Sequence, residues 1–323
     1  LLIGFCGAWL IAALAFSQSQ RQPAGARQQV SEAEYERWKK DLSNWGRWGK
    51  DDEIGALNLI TAKKKLQAAA LVKEGFTVSL AADADTVKAV DNANPYEHTM
   101  LAIRSDRIAV SYHGITHTHL DSLSHDNANG VFYNGYTPDR EAVLKQGHPK
   151  NSIHNVKNGV FTRGILIDIP RLKSLPYLEP GTPIYVEDLE AWERMAGVKV
   201  SPGDAIFVRT GRWARREKLG PWNVAQSAAG VHASVAPWIK ARGVAFAGSD
   251  AALDVTPSLV EGSNLAVHTL FITAMGINLL DNQDLEAVAA TAAKLNRWEF
   301  MVTIAPVPVT GGTGFPVNTL ATF

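Results

Sequence analysis

Four histidines lie within thirteen positions of one another in this chain. They are His113, His117, His119 and His125, with Asp121 among them, in the run Ser111–Asp126 (SYHGITHTHLDSLSHD). Side chains alternate across a β-strand, so residues two apart share a face. His117, His119 and Asp121 then point the same way, roughly 6–7 Å apart along the strand. A bend at the strand end would let one ion collect all three. His113 has the same parity and is the rival to His117. His125 follows Asp121 by four residues and reaches the same pocket after a turn. Two imidazoles and a carboxylate suit Zn, Mn or Fe. A single strand histidine is ordinarily a half-buried polar residue, but four at alternating spacing with an aspartate exceed that account. The segment is also too varied to be a low-complexity histidine tract.

The rest of the composition narrows the chemistry. The chain has 323 residues, 32 Lys plus Arg, 32 Asp plus Glu, and one cysteine, Cys6. A single cysteine excludes an intrachain disulfide framework and a cysteine-built zinc site. Zero formal charge gives no electrostatic case for binding nucleic acid. With 46% hydrophobic and 20% charged residues, the chain is too apolar for a disordered protein. No G-x-S-x-G elbow follows the N-terminal region, which argues against a serine hydrolase. Gly311–Gly314 lacks the Lys-Ser/Thr pair of a phosphate loop and reads as a turn.

The elements that must hold the cluster mix strands and helices. Leu1–Phe16 is uncharged and is followed by small and polar residues, so residues 1–17 read as a signal peptide. The expectation is a secreted or periplasmic protein, with a membrane anchor as the alternative; the run is short for a span of ~20 residues. Residues 18–30 read as a flexible linker, and 31–323 as one domain. Ser31 caps a helix running to about Leu42, with Val30 and Tyr35 as a hydrophobic staple. Trp45–Thr61 reads as an ordered loop, and Thr61 caps a second helix that ends before Gly75. Strands are expected at Phe76–Leu80, Leu101–Tyr112, Arg163–Asp168, Ala205–Val208, Val244–Ala247 and Phe300–Ala305. Helices are expected at Val186–Ala196, Ser234–Ala241, Asn264–Met275 and Asp284–Leu295. This intermixing predicts an α/β or α+β class with a mixed sheet. Lys63–Lys65 is expected to be solvated, as are His148 and His154. His98 and His232 are expected to be structural.

Thr118-His119-x-Asp121-x-x-x-His125 resembles the HxGTHxDxPxH signature of the cyclase-like metal-dependent hydrolases, a family that includes bacterial kynurenine formamidase and isatin hydrolase. Further blocks resemble the family in order: Thr162–Asp168, Gly203-Asp204 with Thr210-Gly211, Gly248–Asp250, His268, Gly276–Asn282, Pro306 and Gly314–Val317. The resemblance spans about Trp45 to Phe323. It implies an α/β, mixed-sheet swivelling β/β/α fold, often dimeric or tetrameric. It implies that His119 and Asp121 bind metal, that His125 is a catalytic base or second-metal ligand, and that His268 and Asp281 complete the site. The chain departs from the family at Ile115, where the first motif histidine stands, and at His117, Leu123 and Asp281, which replace Gly, Pro and Glu. His117 is expected to supply the missing ligand, with His113 as the alternative.

Together with these residues, the resemblance implies a divalent ion, Zn or Mn, one or two per chain, held by His117, His119, Asp121, His125, His268 and Asp281. His125 and Asp281 are the expected catalytic pair: His125 as general base, Asp281 orienting a histidine or sharing a second ion. The expected reaction is hydrolysis of an amide, ester or lactone in a small, possibly aromatic molecule. Trp48, Tyr133, Tyr136 and Trp213 could wall the pocket, although core packing explains any one of them as well. The competing readings are a metal-dependent cyclase or lyase using the same site, and a secreted metal-binding protein without turnover.

Overall fold

The computed structural model describes residues 29–323. The expected signal peptide, Cys6 and nearly all of the expected linker lie outside the described residues. Among the described residues there are thirteen strands: β1 (Thr77–Ser79), β2 (Glu97–Ala102), β3 (Ser105–Ala109), β4 (His119–Asp121), β5 (Val160–Asp168), β6 (Pro183–Ile184), β7 (Ala205–Arg209), β8 (Gly230–Val231), β9 (Phe246–Ser249), β10 (Asn278–Asp281), β11 (Glu299–Ile304), β12 (Gly314–Pro316) and β13 (Leu320–Thr322). Nine form one mixed sheet in the order β1-β13-β11-β5-β7-β9-β10-β4-β12. The central run β5-β7-β9-β10 is parallel, and both flanks are antiparallel. The fold class is therefore the mixed α/β architecture expected from the sequence.

Sequence explains the centre of the sheet. β5, β7, β9 and β10 are almost wholly buried, as parallel strands covered on both faces must be. Their apolar middles pack into a core in which Phe300 bridges Phe207 and Phe323, at ring separations of 5.9 and 5.4 Å. Polar residues gather at the carboxyl ends of these strands: Asp168, Arg209, Asp250 and Asp281. Asp250 accepts hydrogen bonds from the amides of Thr210, Gly211 and Arg212. It thereby ties the end of β9 to the start of helix Arg212–Leu219.

The helix starts follow their capping residues. Ser31 Oγ accepts from the Glu34 amide ahead of helix Glu32–Asp41, and Val30 and Tyr35 are both buried. Thr61 caps Ala62–Ala69 in the same way. The expected helix over Asn264–Met275 begins at Ala266 and widens into a π-helical stretch, Thr269–Met275.

Three expectations are corrected. The long strand over Leu101–Tyr112 is instead the return arm of a separate ribbon, β2–β3, with its turn at Ile103-Arg104. Lys64 is not solvated: its ammonium is buried and lies 2.6 Å from Asp204, which Arg163 also grips. Its neighbours Lys63 and Lys65 are exposed, so helical geometry turns only the middle lysine inward. His148 is buried, edge-on against Phe132 at 4.9 Å.

Candidate metal centre

β4 is three residues long, yet it positions the centre of the site. Its register sets His119 between Asp281 of β10 and Pro316 of β12, and Asp121 between Leu279 and Gly314. β12 can approach this closely because residue 314 is glycine: a Cβ there would lie 2.3 Å from the Leu120 carbonyl oxygen. Asp121 is fully buried, and neither of its carboxylate oxygens accepts a hydrogen bond. A buried carboxylate is costly unless groups that can carry positive charge surround it. What surrounds it is a ring of nitrogen donors.

The distances define two groups that share Asp121. His113 Nδ1 is 3.0 Å and His119 Nε2 3.3 Å from Asp121 Oδ1. His268 Nε2 is 3.8 Å from Asp121 Oδ2 and 3.3 Å from Asp281 Oδ2, while His125 Nε2 is 3.7 Å from Asp121 Oδ2. Two donors held by one ion at ~2.0–2.2 Å lie roughly 3.0–3.6 Å apart. The sets His113/His119/Asp121 and Asp121/His268/Asp281 therefore have both the chemistry and the spacing to hold a divalent ion.

Second partners fix which nitrogen each histidine presents. His119 Nδ1 donates to the His117 carbonyl at 2.7 Å, leaving Nε2 for the centre. His268 Nδ1 donates to Asp254 at 2.6 Å, again leaving Nε2. His113 Nε2 pairs with the Thr313 hydroxyl at 2.8 Å, leaving Nδ1. Such outer hydrogen bonds set tautomer and ring direction in metal-binding histidines. Asp254 also accepts from the backbone amides of Val267 and His268, so it anchors the helix start that carries the ring.

The electrostatics favour a cation in the centre. Burial opposes the charge on His119, yet Asp121 and Asp281 raise its pKa to about 9. His268 is likewise raised, against its burial, chiefly by Asp281 and Asp254. Burial also opposes the charge on Asp121, but His125, His119 and His113 hold its pKa well below the usual carboxylate range. His125 differs: burial and the neighbouring histidines push it down to about 4, despite Asp121. Its ring stacks on His113 with centroids 4.0 Å apart and planes 12° apart.

The structure brings His119, Asp121, His125, His268 and Asp281 together, and it excludes His117. The His117 ring turns away, with Nε2 at 2.8 Å from the Asn94 carbonyl and its edge against Tyr96 at 4.7 Å. The parity argument fails because extended pairing begins only at His119; residues 117 and 119 are not on one regular strand. His113 fills the place instead. Asp254 and Thr313 escaped sequence reading, since neither has a motif spacing to the cluster. Of the expected pocket walls, Tyr133 is a core residue whose hydroxyl donates to Asp52. Trp213 borders a separate, acidic cleft with Asp83, Asp85, His117 and Arg216.

Comparisons with known proteins agree with this architecture. No curated protein matches the chain. A crystal structure described as a novel cyclase is 30% identical, with a TM-score of 0.79 over 87% of this chain and 100% of that one. Isatin hydrolase A from Ralstonia solanacearum is 17% identical, with a TM-score of 0.54 over 81% and 97% of the two chains. An isatin hydrolase bound to the product analogue thioisatinate is 14% identical, with a TM-score of 0.53 over 81% and 98%. The cyclase family model, described as "Putative cyclase", matches residues 32–254, and with the 30% identity over nearly the whole chain it shows that this protein belongs to the cyclase family.

Proposed function

We propose that this chain is a metal-dependent hydrolase that opens an amide, ester or lactone bond in a small molecule. The observation that carries this reading is Asp121: a fully buried carboxylate with four histidine nitrogens 3.0–3.8 Å from its oxygens, beside Asp281. The residues that would hold the ion are His113, His119, Asp121, His268 and Asp281. When bound, the ion supplies Lewis acidity, which polarises a carbonyl and makes water acidic enough to react near neutral pH.

The remaining work falls to the chain itself. Asp254 and the His117 carbonyl hold two imidazoles in the tautomer that faces the centre. His125 is the group suited to moving a proton. It is 26% exposed, so it borders solvent, and its low pKa keeps it neutral at pH 7, the form that accepts a proton. A proton taken from water by Nε2 can then pass to the leaving nitrogen or oxygen. Tyr112 borders the same space, with its hydroxyl donating to the Gly314 carbonyl and its ring 4.5 Å from that of His113.

Because isatin hydrolases share the fold, small aromatic cyclic amides and lactones are the first substrates to test. The experiment is a screen of amides, esters and lactones with metal-loaded protein in heavy-oxygen water. Hydrolysis places one solvent oxygen in the acid product. Turnover without that label would instead indicate a lyase or cyclase.

A further inference from the structure

His113 stands in a stretch, residues 110–118, that belongs to no helix or strand. Regular pairing therefore does not fix its place relative to His119, which opens β4. Side chains from elsewhere in the fold do so by taking up the carbonyls of the stretch. Asn282 Nδ2 donates to the Gly114 carbonyl at 2.8 Å and to the His117 carbonyl at 3.2 Å. Arg212 Nη2 donates to the Ile115 carbonyl between them. The Thr118 hydroxyl donates back to the Asn282 carbonyl at 2.7 Å. The His117 carbonyl also accepts from His119 Nδ1, so Asn282 reaches the oxygen that orients a ring of the centre.

Asn282 directly follows Asp281, with its backbone in the left-handed region at φ 54. Asparagine tolerates this better than most residues. Its side chain is fully buried and its amide is aimed: Arg212 Nη1 donates to Oδ1 at 2.6 Å, which leaves Nδ2 for the two carbonyls. Arg212 is buried too, and its terminal nitrogens go to a neutral amide and a backbone carbonyl rather than to a carboxylate. Burying a guanidinium without a direct ion pair is costly. Its planar fork reaches Asn282 and Ile115 at once, a geometry that a lysine ammonium does not reproduce.

We propose that Asn282 is a positioning residue that couples the two ligand groups of the centre, setting His113 and His119 against Asp281, with Arg212 aiming its amide. This rests on the metal-centre reading above. A single amide joins the residue after Asp281 to the carbonyls that lie between His113 and His119 in the chain. The group His113/His119/Asp121 and the group Asp121/His268/Asp281 are thereby held at one spacing. The role needs two donors on one short side chain, which aspartate lacks.

The test compares wild type with Asn282→Asp, which keeps the size of the side chain but turns acceptors toward the two carbonyls. It also adds negative charge beside Asp281, which by itself would attract a cation more strongly. Weaker metal binding then points to lost positioning. In the metal-free proteins, chymotrypsin cleavage after Tyr112, located by mass spectrometry, should be about tenfold faster in the variant, because the segment opens. With cobalt as the probe ion, chelator competition should show affinity about tenfold or more weaker, and the visible absorption bands should shift as His113 leaves its place. If Asn282→Asp does not fold, Asn282→Gly, which accepts the positive φ and removes only the amide, should give both results. Thr61→Ala removes a helix cap elsewhere and should change neither readout, which separates lost positioning from lost stability. Unchanged cleavage after Tyr112, or unchanged cobalt affinity and bands in a variant that is cleaved faster, would overturn the proposal. A wild-type chain that takes up no cobalt would defeat the metal-centre reading instead; the hold of Asn282 on residues 113–119 then stands or falls on the cleavage rates.

Discussion

Asp254 holds His268 twice: one carboxylate oxygen takes the ring Nδ1 proton at 2.6 Å and lies 3.2 Å from the backbone amide of the same residue. The carboxylate therefore fixes ring direction, tautomer and helix start together. Asp254→Asn keeps the shape but can donate to Nδ1, which moves the imidazole proton to Nε2, the nitrogen facing Asp121 and Asp281. We expect metal affinity to fall by about 10–100-fold, the usual cost of losing such an outer contact. A competition titration with a chromophoric chelator checks this. Unchanged affinity would remove Asp254 from the account.

The correction at His117 makes a paired prediction. His113→Ala removes a nitrogen 3.0 Å from Asp121 and should weaken metal binding at least tenfold. His117→Ala should leave metal affinity within about twofold, because its ring bonds to Asn94 and not to the centre. It should still cost about 1 kcal/mol of stability through the lost hydrogen bond. Equal losses of metal in the two variants would return His117 to the site.

Proton competition sets the pH dependence of metal binding. The free His119 has its pKa raised to about 9, and that proton must leave before Nε2 can bind an ion. Apparent affinity should therefore rise with pH up to about 9, by about tenfold per unit for this proton alone, and the raised His268 adds to the slope. Calorimetric titrations from pH 6 to 10 in buffers of known ionisation heat measure both slope and proton release. A flat profile below pH 9 would contradict the raised His119.

Far from the centre, Asp204 neutralises two buried cations, Lys64 and Arg163, at the edge of β5 and β7. Asp204→Ala leaves both without their shared partner and should destabilise the fold by about 3–5 kcal/mol. Equilibrium urea unfolding measures the change. A loss under about 1 kcal/mol would mean that water reaches the cluster.

Legibility in the sequence followed the range of each interaction. The buried strands around Ile165–Ile167, Ile206–Val208 and Phe246–Ala247 were readable because burial on both faces leaves an uninterrupted apolar run. Ser31 and Thr61 were readable because a cap acts within three residues. The cluster around Asp121 was readable by composition, but its geometry was not. β4 is only three residues long, and its partners Asp281 and Gly314 come from distant strands. Parity along the chain therefore selected His117, while tertiary pairing selected His113. Asp254 left no local signal at all: its partner is fourteen residues away across a loop. Lys64 was misjudged because its counter-charge, Asp204, lies 140 residues away.

The central claim is that Asp121 is the shared ligand of a divalent metal centre. The most direct measurement is metal content per chain by plasma mass spectrometry, for wild type and Asp121→Asn, after identical loading with zinc or manganese and desalting. The isosteric amide keeps the buried volume, and thermal unfolding confirms that both proteins are folded. The account predicts about one or two ions per wild-type chain and close to none in the variant, with hydrolysis lost in step. A folded Asp121→Asn chain that keeps the full wild-type metal content would contradict it.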